Sequence, residues 1–551
     1  MPVASRQIHA RSAGWGHPAF KGSFQMPDSS FQTVNALGSG LGGALVLLDS
    51  RMMTYPHLFQ AFVASAHAHE QRIALYWGDH EFTYGHFLRQ SWWMRGQLTS
   101  VHGLKAGERV GLWLRNRPEF VSALFGVLGA EGVAVPINNF LKAAEVAYIV
   151  ADAGVQVLVT EAGMEEGVQA VLALCPGLRV VRVEDIPAEL ADAPVGLPEV
   201  SRGIDELAVL IYTSGTTGQP KGAMLSHGNL LHNVESCRQV LAVVDFDKFV
   251  LMLPMFHSFM LTVCILLPLL VGGSIVLIHS LHAPKQAIQE ILVRKGSVLP
   301  AMAALFRTLA HLPAGLELPL RLCISGAGPL PAEILKAFNA RYPSVPLIEG
   351  YGLSEASPVV SVNPVQGPWK AGSIGVPIPG VEISVQDDAG VPVTEGVDGE
   401  ICVRGGNVML GYWNAPQKTA ETLVNGWLRT GDIGHRLPDG YYVITDRKKD
   451  MLKPNGINVY PREIEEVIYR YPGIREAAVV GEPCEKRGER PVAFVGLDEG
   501  RTFDEHAMHE FLRSQLADFK LPRRFIVLPA LPRNATGKIL KTQLREMLAK
   551  A

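Results

Sequence analysis

Tyr212-Thr-Ser-Gly-Thr-Thr-Gly-Gln-Pro-Lys-Gly222 is the stretch on which the reading of this chain turns. It follows the apolar run Ala208-Val-Leu-Ile-Tyr212, which predicts a buried strand, and leads to Ser226, an N-cap for a helix over 229–241. Gly215 and Gly218 let the backbone aim its N–H groups at an anion. Thr213, Ser214, Thr216 and Thr217 add hydroxyl donors, and Lys221 adds positive charge. The loop is built to hold phosphate. It is not the P-loop of ordinary NTPases, where Gly-Lys is followed by Ser or Thr; here Pro220 precedes Lys221 and Gly222 follows it. A flexible Gly/Ser/Thr turn is the plainer reading, but a bare linker has no reason to join a buried strand to a capped helix.

Outward from the loop, short β-branched runs alternate with amphipathic segments. Val110-Gly-Leu-Trp-Leu114 precedes a helical pattern over 118–128 and then Val133-Ala-Val-Pro136, and the rhythm returns at Val157-Leu-Val159 and Ser274-Ile-Val-Leu-Ile278. That order predicts a large α/β part with parallel sheet. Between Ser373 and Ile444 short alternating pieces separated by Gly, Pro and Asp predict a β-rich section. The charged run Asp446-Arg-Lys-Lys-Asp450 ends that pattern and precedes about a hundred residues with their own helices and strands. The expected organisation is an extension over 1–51, an N-terminal domain over 52–446, a linker at 447–450 and a small α+β domain over 451–551.

The 551 residues are too many for one ordinary core. With 48% hydrophobic and 19% charged residues the composition is that of a globular protein. A formal net charge of -3 supplies no field to attract nucleic acid, so an anionic ligand must be held by local groups. The six cysteines form no Cys-x-x-Cys pair of the kind structural zinc uses. The longest apolar run, Phe259 to Val271, contains Pro268 and falls short of the roughly 20 residues that span a bilayer. It predicts buried core rather than a transmembrane segment, with peripheral membrane contact left open. Arg6, Arg11 and Lys21 precede the first acidic residue, Asp28, a pattern faintly like a transit peptide. A disordered extension, or a start at Met52 or Met53, is the simpler reading, and the expected compartment is the cytoplasm.

The loop resembles the signature of the adenylate-forming superfamily, which includes acyl-CoA synthetases, firefly-type luciferases and peptide-synthetase adenylation domains. The resemblance runs from Tyr55 to Leu548 and continues, in family order, through Pro254-Met-Phe-His257, Ser325-Gly-Ala-Gly-Pro-Leu330, Tyr351-Gly-Leu-Ser-Glu355, Gly399-Glu-Ile-Cys-Val-Arg404, Thr430-Gly-Asp432, Asp446-Arg-Lys-Lys-Asp450, Gly456-Ile-Asn-Val-Tyr-Pro-Arg-Glu-Ile-Glu465 and Arg533-Asn-Ala-Thr-Gly-Lys538. It implies ATP, Mg²⁺ and coenzyme A as ligands. Glu355 would hold Mg²⁺, with the Ser354 hydroxyl near the α-phosphate and Gly352 in the same loop. Asp432 would accept from the ribose hydroxyls, with Arg447 on the ribose and phosphate side. Tyr351 would offer its face to adenine, and Gly326 and Ala327 would allow close approach of purine and acyl group. Lys538 becomes the catalytic lysine, stabilising the charge that develops when a carboxylate attacks the α-phosphorus, while Lys221 and Mg²⁺ draw off the pyrophosphate charge. The family pivots its mobile C-terminal domain at the position of Lys449 and brings the strip around Gly456 to line a pantetheine tunnel.

In peptide-synthetase domains an Asp early in the fourth block holds the substrate amino group, whereas this chain reads Phe256-His257-Ser258-Phe259 and offers no carboxylate. His257 matches the position that acyl-CoA synthetases place beside the reacting carboxylate; a buried His bonded to a backbone carbonyl is the alternative. The chain ends soon after Lys538 with no attached carrier domain, and no insertion precedes Asp446 of the kind that fatty acyl-AMP ligases carry, so free CoA is the expected acceptor. Such a ligase, loading a carrier protein, is the nearest rival. A luciferase-type oxygenase stays open, and a non-catalytic nucleotide sensor is opposed by the presence of Lys538 and Glu355. Met255, Phe259, Met260, Leu261, Ala301, Met302, Leu305 and Phe306 would surround the acyl group and suit a medium- or long-chain fatty acid, with an aryl acid as alternative. Met260 departs from the Gly often found three residues after the His, which bears on pocket depth. The oligomeric state is left open, a homodimer among the choices.

Overall fold

The computed structural model describes residues 55–213, 219–278, 284–313, 315–454, 457–484, 488–534 and 537–550. Leu207–Thr213 is a strand with Ala208 to Ile211 buried, but Lys221–Ser226 is a strand too and returns antiparallel beside it, with Tyr212 opposite Gly222 and Thr213 opposite Lys221. The candidate phosphate loop therefore closes a hairpin instead of joining a strand directly to a helix, a correction to the sequence reading. The helix begins two residues earlier than predicted, as His227–Val240. Ser226 caps it: its hydroxyl accepts from the Asn229 amide at 3.0 Å, and the Asn229 side chain accepts from the Ser226 amide at 2.9 Å. The expectations for Ser214 to Gly218, for Gly456 and for the extension 1–51 lie outside the described residues.

The hairpin belongs to a sheet of seven strands among the described residues, ordered Gly411–Tyr412, Lys221–Ser226, Leu207–Thr213, Val133–Pro136, Arg109–Leu112, Val155–Thr160 and Arg179–Arg182. From Leu207–Thr213 onward its neighbours run parallel, and Val133–Pro136 is buried throughout, as a strand covered on both faces must be. A nine-stranded sheet has a parallel centre, with Leu347–Gly352 beside Leu322–Ser325, then Val298–Ala301, Lys248–Leu251 and Ser274–Leu277, and antiparallel strands at both edges. The apolar run after Phe259 lies within the main core as a π-helix, Met260–Leu266, and a short helix, Leu267–Val271, stopped by Gly272 at φ 94°. Among the described residues no helix is long and apolar enough to cross a membrane.

The β-rich section folds as predicted into an antiparallel sheet built on Val381–Gln386, Gly399–Gly405, Trp427–Arg436 and Tyr442–Arg447. Beyond it, Ile474–Cys484, Gly488–Leu497 and Phe525–Val527 form a small sheet. One face packs on the helices Pro461–Tyr469 and Glu505–Arg513, the other on Lys541–Lys550, so this C-terminal domain has apolar clusters of its own on both sides. The fold is the expected α/β architecture with a β-rich subdomain and a small α+β domain.

Candidate active site

Two short elements bring the Mg²⁺ candidate to the base of the hairpin that carries the candidate phosphate loop. Glu355 sits in the 3₁₀ turn Ser354–Ala356 just after the strand Leu347–Gly352, and its Oε1 accepts from the Tyr412 hydroxyl at 2.8 Å. Tyr412 lies in a two-residue strand opposite Ala223, which places its ring 5.6 Å from Lys221 Nζ. One aromatic side chain thus touches the carboxylate through its hydroxyl and the ammonium through its face. Burial, reinforced by the Glu355 charge, raises the Tyr412 pKa, so it stays a donor. The Ser354 and Ser258 hydroxyls are 2.9 Å apart, tying this turn to the segment that carries His257. Thr213 closes the base of the hairpin, its hydroxyl donating to the Lys221 carbonyl at 3.5 Å. Tyr412 was missed in the sequence; the dipeptide Gly411-Tyr412 gives no sign of which strand it will join.

A second group forms where the β-rich sheet meets the nine-stranded one. Asp432 and Arg447 face each other across antiparallel strands, with Arg447 Nε 3.3 Å from Asp432 Oδ1. The Tyr351 hydroxyl donates to Asp432 Oδ2 at 2.6 Å. An ionised carboxylate offers about four acceptor sites, so Asp432 keeps capacity for a diol after both contacts. Burial first, then the Asp432 charge, pushes the Tyr351 pKa well up. Gly352 is required where it stands: a Cβ there would come 2.0 Å from the Pro358 carbonyl oxygen. Ala327 adopts φ 64° beside Gly326, whose Cα faces the Phe259 ring so closely that an added Cβ would meet it at 3.0 Å.

Lys538 comes to this group from the small C-terminal domain. Its turn is fixed by paired bonds with Asn534, the Lys538 amide donating to Asn534 Oδ1 at 2.8 Å and the Asn534 amide to the Lys538 carbonyl at 2.9 Å. Burial lowers the Lys538 pKa to about 8, with Arg447 and Lys449 pushing the same way and Asp432 opposing. His257 is lowered to about 4 by burial and by Lys538. Its Nδ1 accepts from the Phe259 amide at 3.3 Å, so the neutral ring carries its proton on Nε2. Lys449, too, is lowered by burial and by Arg447. The structure therefore brings together Lys538, Asp432, Arg447, Tyr351 and His257 as one electrostatic neighbourhood drawn from both domains.

The eight apolar residues expected around the acyl group fall in two core clusters. Met255, Phe259, Met260 and Leu261 are buried in the main core, with Met302 packed against it, and Ala301 and Phe306 are buried in a second one, with Leu305 packed against it. Phe259 stands against Gly326, and Met302 reaches Gly537, where an added Cβ would lie 2.0 Å from its methyl carbon. Those two mark the apolar side of the site.

Among the described residues no group of three or more His, Cys, Asp or Glu side chains could cage a metal ion. A single carboxylate still fits Mg²⁺, which retains waters and takes phosphate oxygens in preference to an all-protein cage. Glu355, with Lys221 nearby for phosphate charge, meets that requirement.

The AMP-binding enzyme family model matches residues 62–413, and that of the AMP-binding enzyme C-terminal domain matches 463–538. A long-chain-fatty-acid–CoA ligase of Bacillus subtilis (strain 168) is 34% identical over 81% of this chain and 86% of its own. A feruloyl-CoA synthase of an Amycolatopsis species is 36% identical over 80% of this chain and 89% of its own. The crystal structure of ATP-bound MatB from Rhodopseudomonas palustris superposes with a TM-score of 0.81 at 30% identity, over 89% of this chain and 98% of that one. The chain belongs to the AMP-binding enzyme family, and within the adenylate-forming superfamily it stands with the acyl-CoA synthetases.

Proposed function

We propose that this enzyme is an ATP-dependent acid:CoA ligase acting in the cytoplasm on a medium- or long-chain fatty acid. A substrate carboxylate oxygen attacks the α-phosphorus of ATP, and the bond to pyrophosphate breaks, giving acyl-adenylate. The sulfur of CoA then attacks the acyl carbon, the bond to AMP breaks, and the thiol proton leaves to solvent. The observation that carries this reading is Lys538, an ammonium buried within electrostatic reach of Asp432, Arg447 and His257. A desolvated ammonium is worth most where two anions must meet.

In this reading Asp432 takes the ribose hydroxyls, Arg447 the phosphate side, and Tyr351, fixed by its bond to Asp432, presents its face to adenine. The neutral His257 donates from Nε2 to the acid's oxygen. Lys221 and the hydroxyl-rich loop, Thr213 among its donors, bind the β- and γ-phosphates, and Ser354 points to the α-phosphate. Glu355 would hold Mg²⁺, which neutralises phosphate charge when bound. Arg447–Asp450 serves as the hinge between residues up to 446 and the domain from 451, with Lys449 as pivot, and the strip at Gly456 lines the path for pantetheine.

The fatty-acid assignment is supported by the ligase of Bacillus subtilis and by the apolar pair Phe259 and Met302. An aryl acid is the second reading, favoured by the 36% identity to a feruloyl-CoA synthase. Pyrophosphate release, with and without CoA, across saturated acids and ferulate or benzoate separates them. For a fatty-acid site, affinity rises by about 0.8 kcal/mol per buried methylene until the pocket is full. Preference for aryl acids with no gain along the series moves the assignment, and ADP and phosphate as products would sink it.

A further inference from the structure

We propose that Arg307 is a positioning residue for acyl-adenylate formation, latching the C-terminal domain in the arrangement that brings Lys538 to the site. Arg307 lies on the helix Ala303–Ala310, held in place by the fully buried Phe306 and Leu309. Its guanidinium leaves the N-terminal domain and forks into the C-terminal one. Nη1 donates to the carbonyls of Ile474 at 3.0 Å and Arg475 at 2.9 Å, and Nη2 donates to Asp498 Oδ1 at 2.6 Å. The receiving turn is itself braced, the Asp498 amide donating to the Gly473 carbonyl at 2.9 Å.

Two carbonyls and a carboxylate arranged around one side chain suit the planar, always-charged guanidinium and not a lysine ammonium. The same helix starts beside Met302, which abuts Gly537 next to Lys538. It therefore meets the C-terminal domain twice, at the latch and at the reacting end. Arg307 makes these bonds only while the domain sits in this arrangement, so its contribution is differential: it shifts the population toward the state with Lys538 in place and adds nothing to the other.

The inference rests on the adenylation reading of Lys538, and its test separates the two. In Arg307→Ala, pyrophosphate release without CoA should fall about ten- to a hundred-fold, the effect of losing a charged hydrogen-bond cluster. Conversion of supplied acyl-adenylate and CoA to thioester should be unchanged or faster. Arg307→Lys should recover part of the loss by reaching Asp498 alone. Thr308→Ala, on the same helix with its hydroxyl bonded to the Ala304 carbonyl, should leave both half-reactions unchanged. Tryptic cleavage at Lys448 and Lys449 should quicken in Arg307→Ala at unchanged melting temperature. Equal loss in both half-reactions, or unchanged adenylation together with unchanged cleavage, overturns the proposal. If the wild-type protein forms no acyl-adenylate from any acid, the functional reading fails, and the cleavage comparison still decides the latch.

Discussion

Lys538 works close to the edge of its charged range. Burial and the Arg447 guanidinium bring its pKa down to about 8, so the ammonium is present below that pH and lost as pH rises through it. The kcat/KM for pyrophosphate release should accordingly fall on an alkaline limb near pH 8, while the residual activity of Lys538→Ala should be flat there. A wild-type profile flat to about pH 9.5 would remove Lys538 from that role. His257, at about 4, should contribute no titration between about pH 5 and 8. Lys538, Glu355 and Asp432 could be singled out as candidates because each stands in a short block that carries the family resemblance. Tyr412 and Arg307 could not, because their partners are set by strand pairing and domain docking, and neither leaves a local pattern.

Gly352 shows how closely two strands must approach to present Ser354 and Glu355. A Cβ there would fall 2.0 Å from the Pro358 carbonyl oxygen, so Gly352→Ala must part Leu347–Gly352 from Val359–Val362. A destabilisation of about 1–3 kcal/mol is expected, with weakened Mg²⁺ dependence of pyrophosphate release, whereas Gly328→Ala, with open space at its Cβ, should cost little. Equal denaturation midpoints for the two variants would refute the argument. Local pattern did well for strands buried on both faces: Val133–Pro136 has the predicted bounds, and the β-rich section is where it was expected. It failed at Lys221–Ser226. That segment is a strand because Leu207–Thr213 lies on one side and Gly411–Tyr412 on the other, while its own residues end in an N-cap signal that reads as helix.

The two domains meet through charge as well as shape. Arg462, on the first helix of the C-terminal domain, donates its amide to Asp446 at 2.8 Å and reaches to 3.9 Å from Glu349. Burial raises the Glu349 pKa to about 7, against the pull of Arg462. Arg545 donates to Asp450 at 2.6 Å, at the end of the charged run. The composition break at 446–450 was visible in the sequence, but these clasps join residues from distant parts of the chain and had no trace there. Lys449→Pro should stiffen the linker, spare pyrophosphate release and slow thioester formation by about tenfold or more. Equal rates for variant and wild type in stopped-flow thioester formation would count against a pivot at this position. The seat of Gly537 on Met302 carries a liability of another kind. Met302 is partly exposed and packed where not even a methyl group could be added opposite, so oxidation to the sulfoxide would put a polar oxygen into that contact. An oxygen there would crowd the turn that carries Lys538.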